Sequence, residues 1–360
     1  MSIADELFEC NDPPELHIVM DSLRVEFDNP ELRLAAAPTR LAGGFWAEMW
    51  QLVLDGNRAI GLPSKVVLRL APDANLAARE TAVQSSLASA GYPTPIVRAS
   101  GSPTGASRAW CVMDFCEDRP LIANLNGLRA IAALPRLVRA MPDALATMAF
   151  QLHGIQAEPV AAALSSRGFD VASIEAVGDM LVRLYAAAVG FGNNDLQGVA
   201  GRLIADRPVP RGQVVCHGDL HPLNVLQHDG HFVVLDWTAS QLAEPTFDLA
   251  YTHLLLSNPP MSVPRMLSPA IRLFAKTIGR RFVTTYQRLA GVKIDPERLD
   301  WFCQLHAMRI LIELESWRSL GTEREHAEHP WHLMEPGLRR LVGLCPVDVD
   351  RIPVVSPDWL

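Results

Sequence analysis

Residues 214–237 read VVCHGDLHPLNVLQHDGHFVVLDW, and no other stretch of this 360-residue chain says as much about its fold. The apolar run Val214–Cys216 is strand-like and stops at a polar loop, His217 to Asn224. Asp229–Gly230, set between two short apolar runs, is a hairpin turn signal. The second run, Phe232 to Leu235, carries Asp236 at its end. Asp219, Asn224 and Asp236 are thus presented from two loop ends beside one hairpin.

Phosphoryl transfer needs such a set. One carboxylate orients the attacking hydroxyl and accepts its proton, while a carboxylate and an amide oxygen hold Mg²⁺ on the triphosphate. Two other readings compete. The loop could be an ordinary strand-to-loop turn with Asp236 as a cap. Alternatively, His217, Asp219, His221 and His228 could ligate Zn²⁺, but no second His/carboxylate cluster in the sequence supports that.

Outward from this segment, the chain changes character once. Towards the N-terminus, residues 16–27 predict a short helix and 40–54 a strand, glycine turn and strand. Further β runs follow at 66–70, 95–99 and 109–115, with a helix over 74–90 stopped by Gly91 and Pro93. After Asp118 the reading is helical over 121–206, apart from the island at 213–237, with helices again at 247–257, 265–290, 297–319 and 332–344. The expected organisation is an N-terminal extension (1–39), a β-rich N-lobe (40–116) and a helical C-lobe (117–360).

HGDLHPLN and LDW resemble the HGD-x-x-x-x-N loop and the following I-D-W/F metal motif of the aminoglycoside phosphotransferase / choline kinase family. The four fixed residues of that loop would occur by chance roughly a few times in a thousand chains of this length. The resemblance implies an α+β, bilobal protein-kinase-like fold with a small β-rich N-lobe and a larger helical C-lobe. It further implies that Asp219 is the catalytic base, that Asn224 and Asp236 are metal ligands, and that His217 braces the loop. Asp248, in EPTFDLAYTHLLL, matches the Asp that follows the metal motif and is expected to brace the catalytic loop as well.

The N-terminal half fits, with one departure. Gly43 and Gly44 sit where the family covers the ATP phosphates with a glycine-containing loop, and their backbone amides would approach the phosphates. In the third strand, VVLRL, Arg69 occupies the slot of the usual phosphate-contacting lysine; Lys65 lies on the same face but at the strand's start. Arginine binds phosphate bidentately, so the exchange is not chemically neutral. Glu80 matches the helix glutamate that pairs with this cation. AWCVMDFCEDRPL resembles the fifth strand and hinge, so the backbone from Asp114 to Cys116 would bond the adenine edge, with Met113 packing nearby.

The function implied is ATP- and Mg²⁺-dependent transfer of the γ-phosphate to a hydroxyl of a small molecule. The alternatives are a metabolic kinase on a choline-, sugar- or homoserine-like acceptor and a nucleotide-binding pseudokinase. For the acceptor, the helix over 297–319 offers His306, Arg309, Glu313 and Trp317 at three-to-four-residue steps; the same stripe also suits the solvent face of a packed helix.

Composition narrows the partners. With 32 basic against 40 acidic residues the formal charge is −8, which argues against nucleic acid. No apolar run approaches bilayer length and the acidic N-terminus is unlike a signal peptide, so a cytoplasmic protein is expected. The six cysteines include no CxxC pair and read as buried thiols.

Overall fold

The computed structural model describes residues 12–41, 47–56, 61–102, 108–117, 119–121, 127–170, 177–228, 230–260 and 268–345. Gly43 and Gly44 lie outside them. The chain forms two compact units, one built from Met1–Arg119, Glu158–Phe169 and Leu226–Thr238, the other from Pro120–Ala157, Asp170–Val225 and Ala239–Leu360.

The first unit is an antiparallel sheet with helices. Its strands are β1 (Arg33–Leu34), β2 (Thr39–Arg40), β3 (Glu48–Asp55), β4 (Lys65–Ala71), β5 (Val97–Gly101) and β6 (Ala109–Asp114), in the order β1-β3-β4-β6-β5 with β2 beside β3. On β3 the alternating Trp50, Leu52 and Leu54 are buried, as a pleated strand with one core face requires. Met49 and Cys111 flank Arg69 across the sheet. Helix α2 (Ala74–Ser89) begins where the Asp73 side chain accepts from the amides of Asn75 and Leu76, and Gly91, at φ +81°, ends it.

The described residues before 40, from 12 onward, are part of this unit and not an extension of it. In α1 (Leu16–Glu26), Leu16, Val19, Met20 and Leu23 fall on one face and pack into the core formed by Trp50, Leu52, Leu68 and Val112. The buried Glu15 carboxylate is held by Arg108 at 2.8 Å. The two other segments join later in the chain. Arg167, beyond α4 (Ala157–Ser165), donates to the carbonyl of Ala78 at 2.9 Å. After the short β7 (Arg119–Pro120), the hairpin β9 (Val225–His228) and β10 (His231–Val234) ties in where Val234 N–H donates to Pro93 at 2.8 Å.

The second unit is helical. Its α3 (Gly127–His153) is one helix where the sequence suggests two, for it runs through Pro135 and Pro142. The packing of α3 on α8 (Ser268–Ala290) offsets the lost hydrogen bonds: Asp143, next to Pro142, accepts from Arg281 at 2.6 Å and from Thr285 at 2.7 Å. Helices α5 (Val177–Gly190), α6 (Asn194–Ala205), α7 (Pro245–Ser257), α9 (Pro296–Leu320) and α10 (Trp331–Leu341) surround a core that includes Phe247, Phe302, Leu305, Met308 and Trp317. The strand β8 (Val214–Cys216) pairs with β11 (Gln241–Ala243), which sets the loop after Cys216 beside the start of α7. Among the described residues no helix is long and apolar enough to cross a membrane.

Candidate active site

In the second unit, β8 releases the chain into a loop that the backbone itself shapes. Gly218 has φ +76°, and a Cβ there would run into the carbonyl of Ala239. Glycine is therefore required on two grounds. Asp248, in the first turn of α7, reaches back and accepts from the amides of His217 at 2.8 Å and Gly218 at 2.6 Å. His153 Nε2 lies 3.2 Å from the same carboxylate, and its Nδ1 is 2.8 Å from the Tyr286 hydroxyl. Burial raises the Asp248 pKa, but His153, His217 and the Gly218 amide outweigh it and hold the carboxyl below its usual range.

Asp219 follows directly. Its amide donates to His217 Nδ1 at 3.2 Å, so the imidazole braces the loop from within. Asn224 turns its amide nitrogen to Asp219, donating to the backbone oxygen at 3.0 Å and to Oδ2 at 3.2 Å. Its oxygen is the atom left to offer a hard cation. His221 Nε2 stands 3.6 Å from Asp219 Oδ2. Burial raises the Asp219 pKa, yet His221, the Tyr251 hydroxyl and His217 together bring it down to about 2. The carboxylate is ionised throughout the physiological range.

The first unit assembles a second group. Arg69 Nη1 meets Glu80 Oε1 at 3.1 Å, and Nη2 lies 3.9 Å from Asp236 Oδ1; both Arg69 and Glu80 are buried. Asp236 adopts φ +63°, a left-handed conformation that Asp tolerates better than most residues. Oδ1 also accepts from the Thr238 hydroxyl at 2.6 Å, whereas Oδ2 has no hydrogen bond to any described residue. The neighbouring Trp237 is buried, donating its indole N–H to Thr94 at 2.9 Å and its backbone N–H to Glu80. Burial pushes the Glu80 carboxyl up to about 7, against the pull of Arg69 and with the help of Asp236. Arg69 Nε is buried without a hydrogen-bond partner among the described residues. Such an atom suits a ligand oxygen.

The structure thus brings Arg69, Glu80 and Asp236 together in one unit and His217, Asp219, Asn224 and Asp248 together in the other. Lys65 goes elsewhere, pairing with Glu117 at 2.5 Å near the surface. At Asp114 the amide donates to Ile96 at 3.0 Å and the carboxylate is gripped by Arg98 at 2.6 and 2.8 Å, so that N–H goes to the sheet. Met113 and Cys116 are half-buried, with the Met113 sulfur 3.7 Å from Gln84 Nε2.

The acceptor stripe divides. His306 and Trp317 are core residues, offering an acceptor no surface and no solvent face either, because α9 is buried on these sides. His306 Nε2 is 2.7 Å from the Phe247 carbonyl, and its Nδ1 2.9 Å from Arg309. Trp317 is stacked on His326 at 4.3 Å and packs against His329 and Trp331. Arg309 and Glu313 stay half-buried. Sequence reasoning missed His153, Tyr251 and the histidines of HAEHPWH, of which His329 feels the charge of Asp219. Of the zinc set, the His228 side chain lies outside what the structure describes; among the described residues the group of three ligand atoms close together is His153, Cys216 and Asp248, and each is already hydrogen-bonded.

Three comparisons bear on this arrangement. No curated protein sequence matches. The chain resembles solved structures, among them a candidate aminoglycoside phosphotransferase of Ralstonia eutropha JMP134 (15% identity, 91% of this chain and 95% of that one, TM-score 0.63). A macrolide 2'-phosphotransferase of Brachybacterium faecium (18%, 90% and 99%, TM-score 0.54) and an aminoglycoside-3'-phosphotransferase of type VIII (21%, 80% and 98%, TM-score 0.53) have the same fold. At these identities the likeness carries the fold, which is the α+β kinase-like class. The sequence model of the phosphotransferase enzyme family matches residues 38–302, most of the chain and a span that holds Arg69, Glu80, Asp219, Asn224, Asp236 and Asp248, so this protein is a member of that family.

Proposed function

We propose that the protein transfers the γ-phosphate of ATP, with Mg²⁺, to a hydroxyl group of a small-molecule acceptor. The observation that carries this is Asp219: an ionised carboxylate fixed by His217 and Asn224 on a loop pinned by Asp248, as a hydroxyl-orienting group must be. Asp236 and Asn224 suit the metal, since each has an oxygen with no hydrogen bond to a described residue, and both are hard donors. When bound, Mg²⁺ neutralises charge on the β- and γ-phosphates. Arg69, aimed by Glu80, binds the α- and β-phosphates through its fork, including Nε.

Asp219 accepts a hydrogen bond from the acceptor hydroxyl, keeps its oxygen directed at phosphorus, and takes the proton as the new P–O bond forms. With a pKa of about 2 it is a weak base, so its main contribution is orientation, with proton uptake late in the step. Some structural neighbours were solved with nucleotide and antibiotic, namely AMP-PNP with hygromycin B and ADP with spectinomycin, and this supports nucleotide use and a small acceptor here. ADP release from Mg·ATP across a library of small hydroxyl compounds tests the reading. Mg·ATP should also raise Tm more than ATP with EDTA; no acceptor turnover together with equal shifts would sink it.

A further inference from the structure

Arg309 stands out among the arginines of this protein. Arg98, Arg108, Arg298 and Arg318 each hold a carboxylate at 2.5 to 2.8 Å. Arg309 is half-buried on α9, yet no carboxylate oxygen of a described residue lies within 4.0 Å of it. Its one hydrogen bond to a described residue goes to a neutral partner. His306 faces the Phe247 carbonyl with Nε2, so that nitrogen carries the proton and Nδ1 receives Nη1 of Arg309 at 2.9 Å. The guanidinium carbon sits 5.8 Å from the centre of the Phe247 ring and 5.9 Å from that of Tyr251.

Tyr251 gives the location its meaning, because its hydroxyl bonds Asp219. The guanidinium therefore lies over the ring whose other end touches the hydroxyl-orienting carboxylate. Burial lowers the Arg309 pKa, and the field of Tyr251, Asp219 and Asp248 supports its charge. Of the groups around Asp219, burial holds His306 and His329 neutral near pH 7, so Arg309 is the permanent cation beside Asp219 and Asp248. A cationic group of an acceptor placed against this guanidinium would be repelled. Desolvated guanidinium donors without a carboxylate favour an oxyanion, which they bind through a planar fork.

Resting on the phosphotransferase reading above, we infer that Arg309 receives an oxyanion of the acceptor, so that the acceptor is an anionic hydroxy compound, a hydroxy carboxylate or a sugar phosphate, and not a polycation. Arg309 is a specificity-determining residue: it holds the anionic end while Asp219 orients the hydroxyl.

The experiment has two arms. In the first, ADP release from Mg·ATP is measured with hydroxy carboxylates such as glycerate, with sugar phosphates, with neutral polyols and with aminoglycosides. Turnover is expected with one of the anionic classes, which also tells carboxylate from phosphate. Arg309→Met should raise KM for that acceptor about 100-fold, with a far smaller change in KM for ATP, and Arg309→Lys should restore part of the loss. Preference for aminoglycosides or neutral polyols, or an unchanged acceptor KM in Arg309→Met, overturns the inference. The second arm needs no turnover: glycerate and inorganic phosphate are titrated calorimetrically into wild type and Arg309→Met, each checked for an intact melting transition. Saturable binding at or below about 10 mM to wild type and not to the variant is expected. Equal binding, or none to wild type, overturns it. Absence of turnover with every acceptor class would instead count against the phosphotransferase reading, leaving the calorimetry to judge Arg309.

Discussion

The Oδ1 oxygen of Asp248 accepts the amide of Gly218 at 2.6 Å, from a helix thirty residues further along the chain. With Oδ2 on His217, one buried carboxylate fixes both residues that precede Asp219. Asp248→Ala would leave two buried N–H groups without acceptors, each costing about 1–3 kcal/mol. We expect a loss of several degrees in Tm and a fall in kcat larger than any change in KM for ATP. A variant with wild-type kcat would show that the loop holds its shape without this anchor.

Asp219→Asn keeps the side chain's size and its contact with Asn224 but removes the charge. The hydroxyl then loses both its charged orienting partner and its late proton acceptor, and kcat should fall about 10²–10⁴-fold while Mg·ATP affinity stays the same. Single-turnover kinetics and nucleotide titration read the two separately. Loss of nucleotide binding with turnover retained would reverse the assigned roles.

Arg69→Ala should cripple ATP use, Arg69→Lys should retain part of it, and Glu80→Ala should be milder. The stability change ought to be small for a buried pair. Breaking such a pair costs about 3–5 kcal/mol when a charge is stranded. Glu80, with a pKa already near 7, can take up a proton instead. Steady-state kinetics for ATP beside urea unfolding of the same variant checks both halves. An unchanged kcat/KM for ATP would return Arg69 to a structural role.

His306 predicts acid sensitivity. Burial, then the nearby Arg309, lower its pKa from 6.5 to about 3. Because the folded value lies below the unfolded one, the unfolded chain binds the proton first as pH falls. The stabilisation is complete above about pH 6.5 and is lost progressively towards pH 3, at up to about 1.4 kcal/mol per pH unit. His306→Gln should be less stable at pH 7.5 but show a flatter decline. Urea unfolding at pH 7.5, 5.5 and 4.5 measures the slopes; parallel slopes would mean that other groups dominate.

What could be seen in the sequence follows from distance along the chain. Asp219 and Asn224 act within one loop, so their spacing of five residues is itself a record of their geometry. The Arg69–Glu80 pair was visible for a related reason, being a strand and the helix after it. His153 is different: its contacts are with Asp248 and Tyr286, 95 and 133 residues away, and nothing local marks them. Helical spacing placed His306 and Trp317 on a stripe with Arg309 without showing that neighbours cover α9 almost all round. The role of α1 was hidden because its apolar face is satisfied by strands that begin after it. Pro135 argued for a break between two helices where the chain forms the single helix α3, which packs on α8.

The way the first unit is put together has a consequence for synthesis. It takes Met1–Arg119, then Glu158–Phe169, then Leu226–Thr238. A ribosome making this chain from its N-terminus cannot complete that unit when the sheet has emerged. Trp237, whose indole lies on Thr94, arrives only after most of the helical unit's first segments have been translated. Until then the nascent sheet lacks its last hairpin, and a gene fragment ending near residue 119 would keep the core beneath α1 but leave Thr94 without the Trp237 indole and Pro93 without the Val234 amide.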